Sequence, residues 1–261
     1  MNLKQLLRKI YRKFPKGLSE VWDFPGYQCG VKDWNAEIKK VFLCLDFTEA
    51  CLIECQKFQP DLILTHHPFL FGKKSEVCAH DLKKAQLIEE IEQLNCPIYS
   101  FHTNYDKAED GMNDVLISLL GFEKVSVADD GLMRLCKTPA PMSFDMLLSH
   151  LCDTFDFDHL DYINNDNRLI SHITFIAGGG ASEFMHPLIK NSDVFLSGDC
   201  AHHHRLDMMR YGINYIDLPH EVEEIGFLTG MKKTLEEIDP SLALCCYSFE
   251  RYFSLYLPKK A

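Results

Sequence analysis

Several familiar signals are missing from the sequence, and each absence closes a class. No CxxC pair occurs, and the eleven cysteines are odd in number and irregularly spaced, so neither a zinc ribbon nor a disulfide framework is expected. Cys44, Cys96 and Cys136 lie within or beside apolar runs and read as buried thiols. Cys51 and Cys55 are one helical turn apart and Cys245 and Cys246 are adjacent, but neither pair has a partner pair at zinc-finger spacing. Positive charge is scarce. Against 38 Asp and Glu stand 27 Lys and Arg, a formal net charge of −11, which argues against a sequence-independent grip on nucleic acid. No apolar run approaches the roughly 18 residues of a membrane span, and no secretory pattern opens the sequence. The expected compartment is the cytoplasm, with no membrane partner. Solenoid repeats, low-complexity tracts and a P-loop are also missing.

The bulk composition is ordinary for a globular protein. With 261 residues, 46% hydrophobic and 25% charged, the chain can bury a sizeable core as one large domain or two small ones. The stretch from Asp61 to Phe71 is less ordinary. Leu62, Ile63 and Leu64 form an apolar run without alternation, as in a strand covered on both faces, and that run meets His66 and His67. Pro68 cannot donate a ladder hydrogen bond and restrains His67 to extended backbone, so regular structure stops there. Taken alone, such a pair reads as one working histidine beside a packing neighbour, or as none.

The same style recurs along the chain. Residues 2 to 14 place Leu3, Leu6, Leu7, Ile10 and Phe14 on one face of an amphipathic helix with a basic opposite side; a transit or membrane-surface helix has that look, and so does a plain helix packed on the core. Pro15 to Gly30 is loop-like. An apolar strand over 40–45 ends at Asp46, a helix follows from the N-capping Thr48 to about Phe58, a helix covers about 81–94, and a strand over 97–101 runs into His102. Gly111 and Asn113 open a further helix closed by Gly121. From about Val125 the elements shorten, with a break at Pro139-Ala-Pro141 and a helix around 143–155. Strands over 173–177, 194–196 and 215–218 then end in Gly178 to Gly180, in Ser197-Gly198-Asp199 and in Pro219-His220. One helix is expected over about 221–237 and a strand near 242–247. This rhythm predicts an α/β fold of two similar lobes, each a mixed sheet flanked by helices. Residues 1–124 form the first lobe and 125–219 the second; 220–261 supply a C-terminal helix and strand that return to the first.

Polar candidates collect just after apolar strands: Asp46, His66 and His67, His102 and Asp106, Gly178 to Ser182, Asp199 and His220. In open α/β sheets, ligands bind beyond the carboxyl ends of strands. If a helix starts near Pro219, His220 and Glu224 are four apart and share a face; the plainer account makes Glu221, Glu223 and Glu224 acids favoured by the helix dipole. Together His66, His67, Asp106, His220 and Glu224 offer three imidazoles and two carboxylates. That set is too large for one open catalytic zinc and suits two divalent ions about 3.5–4 Å apart sharing a carboxylate. Zinc, manganese, iron, cobalt and nickel all accept such nitrogen and oxygen donors. His102 is the candidate catalytic residue, as a proton carrier or as the partner that orients a ligand. His202 to His204 read as substrate contact, support or surface ahead of a third metal site. Gly178 to Gly180 fit a phosphate cradle and a tight strand-to-helix turn equally well.

Thr65-His66-His67-Pro68, His102-Thr103-Asn104-Tyr105-Asp106 with Gly111 and Asn113, Ser197-Gly198-Asp199, and His220 followed four later by Glu224 occur in an order and spacing that resembles the NIF-three-like family. These are dinuclear metal-binding proteins that carry the name of type 2 homologues of GTP cyclohydrolase I. The resemblance runs from Trp22-Asp23 to the last helix. It implies that His66, His67, Asp106, His220 and Glu224 are metal ligands with Glu224 bridging, that the metals sit in the cleft between two α/β lobes, and that members assemble as hexameric rings built from dimers. Asp23-Phe24-Pro25-Gly26 departs from the family's usual Asp-Asn-x-Gly, Asp217-Leu218-Pro219 departs from the usual residues before His220, and the domain that longer members insert between the halves has no room here.

Three functions follow. The leading one is a metal-dependent hydrolase acting on a nucleotide or phosphoester-type small molecule, GTP cyclohydrolase-like by resemblance. The alternative is a non-catalytic metal carrier or regulatory interaction protein. Nucleic-acid binding is disfavoured by the charge, although a basic rim made by the N-terminal helix would revive it.

Overall fold

The computed structural model describes residues 1–157 and 159–248, so the part of the expected C-terminal unit from residue 249 onward lies outside the described residues. α1 (Leu3–Lys13) forms because Leu3, Leu6, Leu7 and Ile10 fall on one buried face, and because Asn2 and Gln5 each accept the other's backbone N–H in a capping box. The plain core-packed helix is therefore the account that the fold supports. β1 (Gly26–Gly30) and β2 (Lys40–Cys44) follow. α2 (Glu49–Phe58) is capped by the Thr48 hydroxyl, and β3 is Leu62–Thr65. α3 (Lys74–His80), α4 (Leu82–Gln93), β4 (Pro97–Ser100), α5 (Thr103–Lys107) and α6 (Met112–Leu119) complete the first half. The second half contains β5 (Glu123–Val127), β6 (Arg134–Met142), α7 (Phe144–Phe155), β7 (Asp161–Ile163), β8 (Ile170–Phe175), β9 (Val194–Ser197), α8 (His202–Tyr211) and β10 (Tyr215–Asp217). α9 (His220–Glu223), α10 (Gly226–Ile238) and β11 (Ala243–Cys246) close the described chain.

These strands build two mixed sheets. In the first, of order β1-β4-β3-β2-β11, only β1 runs antiparallel to its neighbour. In the second, of order β5-β6-β8-β9-β10-β7, the parallel trio β8, β9 and β10 is flanked by antiparallel strands. Alternate residues explain why the runs are apolar throughout. Val41, Leu43, Leu62 and Leu64 face one core, while Phe42, Cys44 and Ile63 face another beneath α2 and α4. In the second sheet Ile173, Phe175, Val194, Leu196 and Ile216 belong to the same core as Val41 and Leu43, whereas Phe195 and Tyr215 face the α8 side. One apolar core thus draws on both sheets, with α1, α6 and α10 contributing to it.

Three elements differ from expectation. Gly26 to Gly30 is a strand, although its surroundings read as loop: Gly30 has φ +88° and a Cβ there would stand 2.2 Å from the Cys96 carbonyl oxygen, so only glycine permits this edge strand to approach β4. β6 continues through Pro139 and Pro141, because its ladder to β8 is irregular between Lys137 and Met142 and leaves them unpaired. The expected helix over 221–237 is broken at Glu224 and Ile225. There the Phe227 and Leu228 amides donate to the carbonyls three residues earlier, at 2.9 and 3.1 Å, and Gly226, a poor residue for a helix interior, opens the next helix. Among the described residues no disulfide joins the cysteines and no helix is long and apolar enough to cross a membrane.

Candidate metal centre

Both parallel strand sets end at one place. β3 delivers His66 and His67, whose backbone amides donate to the Leu45 carbonyl at 3.2 and 3.1 Å. The hydroxyls of Thr65 and Ser100 lie 2.8 and 3.0 Å from the His67 carbonyl, pinning the strand end. β4 delivers His102 at the head of α5, with Asp106 one turn later. From the second half come His220, first residue of α9, and Glu224, at the helix break. Glu224 still donates its N–H to the His220 carbonyl four residues back, at 3.2 Å, so the two side chains share a face: its Oε1 lies 2.9 Å from His220 Nε2 and 3.4 Å from His66 Nε2, and its Oε2 lies 2.7 Å from His67 Nε2. Asp106 Oδ1 is 3.5 Å from His66 Nε2. All five expected ligands therefore meet. His102 joins them: two groups have ligand atoms all within 4.8 Å of one another, His66 with His67 and His102, and His67 with His220 and Glu224.

Every imidazole is held by its Nδ1. His66 Nδ1 lies 2.8 Å from the Phe101 carbonyl, His67 Nδ1 2.9 Å from Asp46, His102 Nδ1 2.8 Å from Asp23 and His220 Nδ1 2.8 Å from Asp199. A carbonyl or carboxylate only accepts, so each Nδ1 carries an N–H, and Nε2 is the nitrogen that faces inward and would offer its lone pair to a metal. Buried His66 Nε2 and Asp106 Oδ1 have no hydrogen-bond partner, and buried Glu224 Oε2 has only the His67 ring nitrogen beside it at 2.7 Å. Buried polar atoms are normally satisfied, and these three converge among imidazole lone pairs, the donor set of a divalent transition metal. The residues fit the group that their types imply.

The charges agree. Burial alone would raise the Glu224 carboxyl, but the His67 and His66 imidazoles beside it hold it well below the ordinary carboxylate range. Burial drives Asp106 the opposite way, well above its ordinary value, and the Glu224 charge adds to that. Burial lowers His66. It works in the same direction on His67 and His220, yet Glu224 with Asp46 lifts the first to about 11 and Glu224 with Asp199 lifts the second to about 9. Protons thus hold the place of a cation, and Asp106 lacks a counter-charge that a cation would provide.

Four neighbours complete the site. Asp23 lay in an aromatic loop with nothing to link it to His102, 79 positions away. Asn113, a helix opener that also belongs to the motif of His102 to Asp106, is fully buried; its amide donates to the Asp106 and Leu132 carbonyls at 3.0 Å each and accepts from Ala177 N–H at 2.8 Å, joining the two halves behind Asp106. Buried Glu223 accepts the Gly178 N–H at 2.8 Å. Gly178 itself has φ +70°, and a Cβ there would stand 2.6 Å from Glu224 Oε1. The glycine run is a tight turn, since the Gly178 amide is committed to Glu223 and the Gly180 amide to the Gly178 carbonyl. His202 to His204 lie on the first turn of α8, where His204 packs against Phe184 with ring centroids 5.6 Å apart. Among the described residues they belong to neither group of converging donors.

Comparison with known proteins places this geometry. The family model described as Duf34/NIF3 (NGG1p interacting factor 3) matches residues 1–251. A GTP cyclohydrolase 1 type 2 homolog of Clostridium perfringens is 29% identical over 244 residues, covering 91% of this chain and 92% of its own. The Lactococcus lactis protein of the same name is 30% identical over 219 residues, covering 82% and 84%. Among solved structures, a Staphylococcus aureus hypothetical protein matches with a TM-score of 0.87 at 20% identity, over 98% of this chain and 99% of that one. A Bacillus cereus protein related to NIF3 matches at 0.86 and 17%, over the same shares. At those identities the two structures speak for the fold alone.

Proposed function

The chain belongs to the Duf34/NIF3 family, and from that premise we propose that His66, His67, Asp106, His220 and Glu224 hold two divalent ions, Glu224 lying between them, in a metal-dependent hydrolase for a nucleotide or phosphoester-type substrate. A GTP cyclohydrolase-like reaction is the one its relatives' names point to. The observation that carries the reading is that buried His66 Nε2 and Asp106 Oδ1, both unpartnered, and the Glu224 carboxylate converge with imidazoles each anchored through Nδ1. Bound there, a pair of zinc, manganese, iron, cobalt or nickel ions would acidify a water and polarise a carbonyl or phosphoryl oxygen. The chain's own residues do the rest. Asp46 and Asp199 fix the ring planes of His67 and His220, and Asn113 fixes the Asp106 turn. His102 keeps its Nδ1–H on Asp23 and so has Nε2 available to take a proton. A cytoplasmic homohexamer is part of the same proposal and is checked by sedimentation velocity.

Elemental analysis of protein purified without chelator tests the centre: two ions per chain are expected, with His67→Ala retaining fewer. A chain that takes up no zinc, manganese or iron overturns it. Metal-dependent turnover within a panel of nucleotides and phosphoesters, lost in His67→Ala, tests the hydrolase; tight metal binding without turnover would favour a carrier. Asp46→Ala leaves every donor in place and removes the partner that orients His67. It is expected to weaken metal affinity about 10–100-fold, read by competition with a chromogenic chelator.

A further inference from the structure

Resting on that reading of the centre, we propose that the aromatic side chains Trp22, Phe24 and Phe71 form a stacking platform for the heterocyclic base of the substrate, so that the substrate class is the nucleotide and not a phosphoester without a base. Large apolar side chains are normally withdrawn from water, and a cluster of exposed ones marks a binding surface. Trp22 is 60% exposed, Phe24 47% and Phe71 53%. They come from two separate loops, yet they are built around one ring of the metal centre. Trp22 and Phe71 each meet the His102 imidazole edge-on, with centroids 6.0 and 6.1 Å apart, and Phe24 meets Phe71 edge-on at 6.4 Å. His102 in turn stands 5.3 Å from His66 and 5.5 Å from His67, centroid to centroid.

What lies on the platform therefore lies against the donors. An edge-to-face contact covers at most one face of a ring, all three rings are about half exposed, and every base has a face that stacks on an aromatic side chain. The other side of Phe24 borders a cavity of about 340 Å³ whose wall carries Lys16 and Lys74. Lys74 is paired to Glu92, whereas Lys16 makes no ion pair among the described residues, a cation within reach of a phosphate that accompanies the base. Asp23, on the same wall, has its carboxylate engaged by His102 and Thr103. Phe24 also stands where the resembling family commonly has Asn, so this part of the platform is a property of this chain.

Trp22 reports on its own surroundings. The chain has two tryptophans, and in a Trp34→Phe background the emission of Trp22 is titrated with guanosine 5′-monophosphate, adenosine 5′-monophosphate and, as a control without a base, ribose 5-phosphate. Saturable quenching by both nucleotides and none by ribose 5-phosphate is expected. In Phe24→Ala/Phe71→Ala the nucleotide affinity is expected to fall about tenfold or more. All three side chains are at least 47% exposed, so these changes leave the fold intact, which circular dichroism verifies. Equal quenching by ribose 5-phosphate, or an unchanged affinity in the double variant, overturns the proposal. So does a changed sedimentation coefficient of the double variant with nucleotide affinity unaltered, which would make the platform an interface between copies. Because binding is read without turnover, and again in Glu224→Ala, failure of the platform and failure of the hydrolase reading give different results.

Discussion

Glu224→Ala is expected to lower bound metal from two ions per chain to one or none and to reduce metal-dependent turnover by more than about 100-fold. The bound on the effect comes from comparison: removing a residue that merely orients a ligand costs 10–100-fold, and Glu224 reaches His66, His67 and His220 at 3.4, 2.7 and 2.9 Å, so its loss touches both proposed positions at once. A second readout does not depend on turnover. His67 is lifted to about 11 against the lowering effect of burial, with Glu224 and Asp46 as the lifting groups. Without Glu224 the metal-free His67 must titrate lower, a shift that NMR follows directly. Glu224→Gln keeps the volume and the fold while removing the charge, and is expected to lose metal in the same way. Turnover that survives either change at saturating metal would reject the hydrolase.

Arg134→Met is expected to destabilise the chain by about 3–5 kcal/mol, the range for leaving a buried ion pair half complete, read as a lower urea midpoint with an unchanged slope. Arg134 is 1% exposed. Its Nε meets Asp114 at 2.7 Å, its Nη2 donates to the Lys107 and Ala108 carbonyls at 3.2 and 3.1 Å, and its Nη1 donates to the Gly131 carbonyl. It therefore clamps the turn after α5, directly behind Asp106, to the second sheet, and metal affinity should fall along with stability. Asp114 gives the acid limb. Burial raises its carboxyl, but hydrogen bonds from Lys124 and Arg134 hold it below its ordinary value. A carboxyl depressed in the folded state contributes stability that is complete above its unfolded value and is lost as pH falls through the folded one. The stability gap between the parent and Asp114→Asn should therefore be full at neutral pH and close in strong acid.

The parts of this architecture legible beforehand are those governed by local pattern. Leu62 to Leu64 without alternation meant a strand buried on both faces, Pro68 meant a stop, and the polar residues after successive strands meant a shared edge; these local rules hold whatever the partner. His220 and Glu224 were legible as a pair because four residues make one helical turn. That the helix would break between Glu224 and Gly226 was not, since the switch there to hydrogen bonds three residues back depends on how the two segments pack, and Gly226 alone is tolerated in many helices. Asp23 and Asn113 belong to the motifs that carry the resemblance, but what each one holds was illegible for another reason. A buried Asp or Asn has the same spelling as one in a turn, and only the partners, 79 and 64 positions distant for His102 and Ala177, tell them apart. Arg134 is the extreme case: nothing in its local sequence marks it, yet it is among the largest fully buried side chains.

The shared core and the order of the donors along the chain also bear on biosynthesis. Neither half holds the full donor set: His66, His67, His102 and Asp106 precede the second sheet, and His220 and Glu224 follow it. A ribosome must therefore release nearly the whole chain, and the second sheet must close on the first through their common apolar layer, before the donors meet. In the proposed centre metal acquisition would then follow closure of the two sheets, and a product stalled before His220 would carry only part of the donor set.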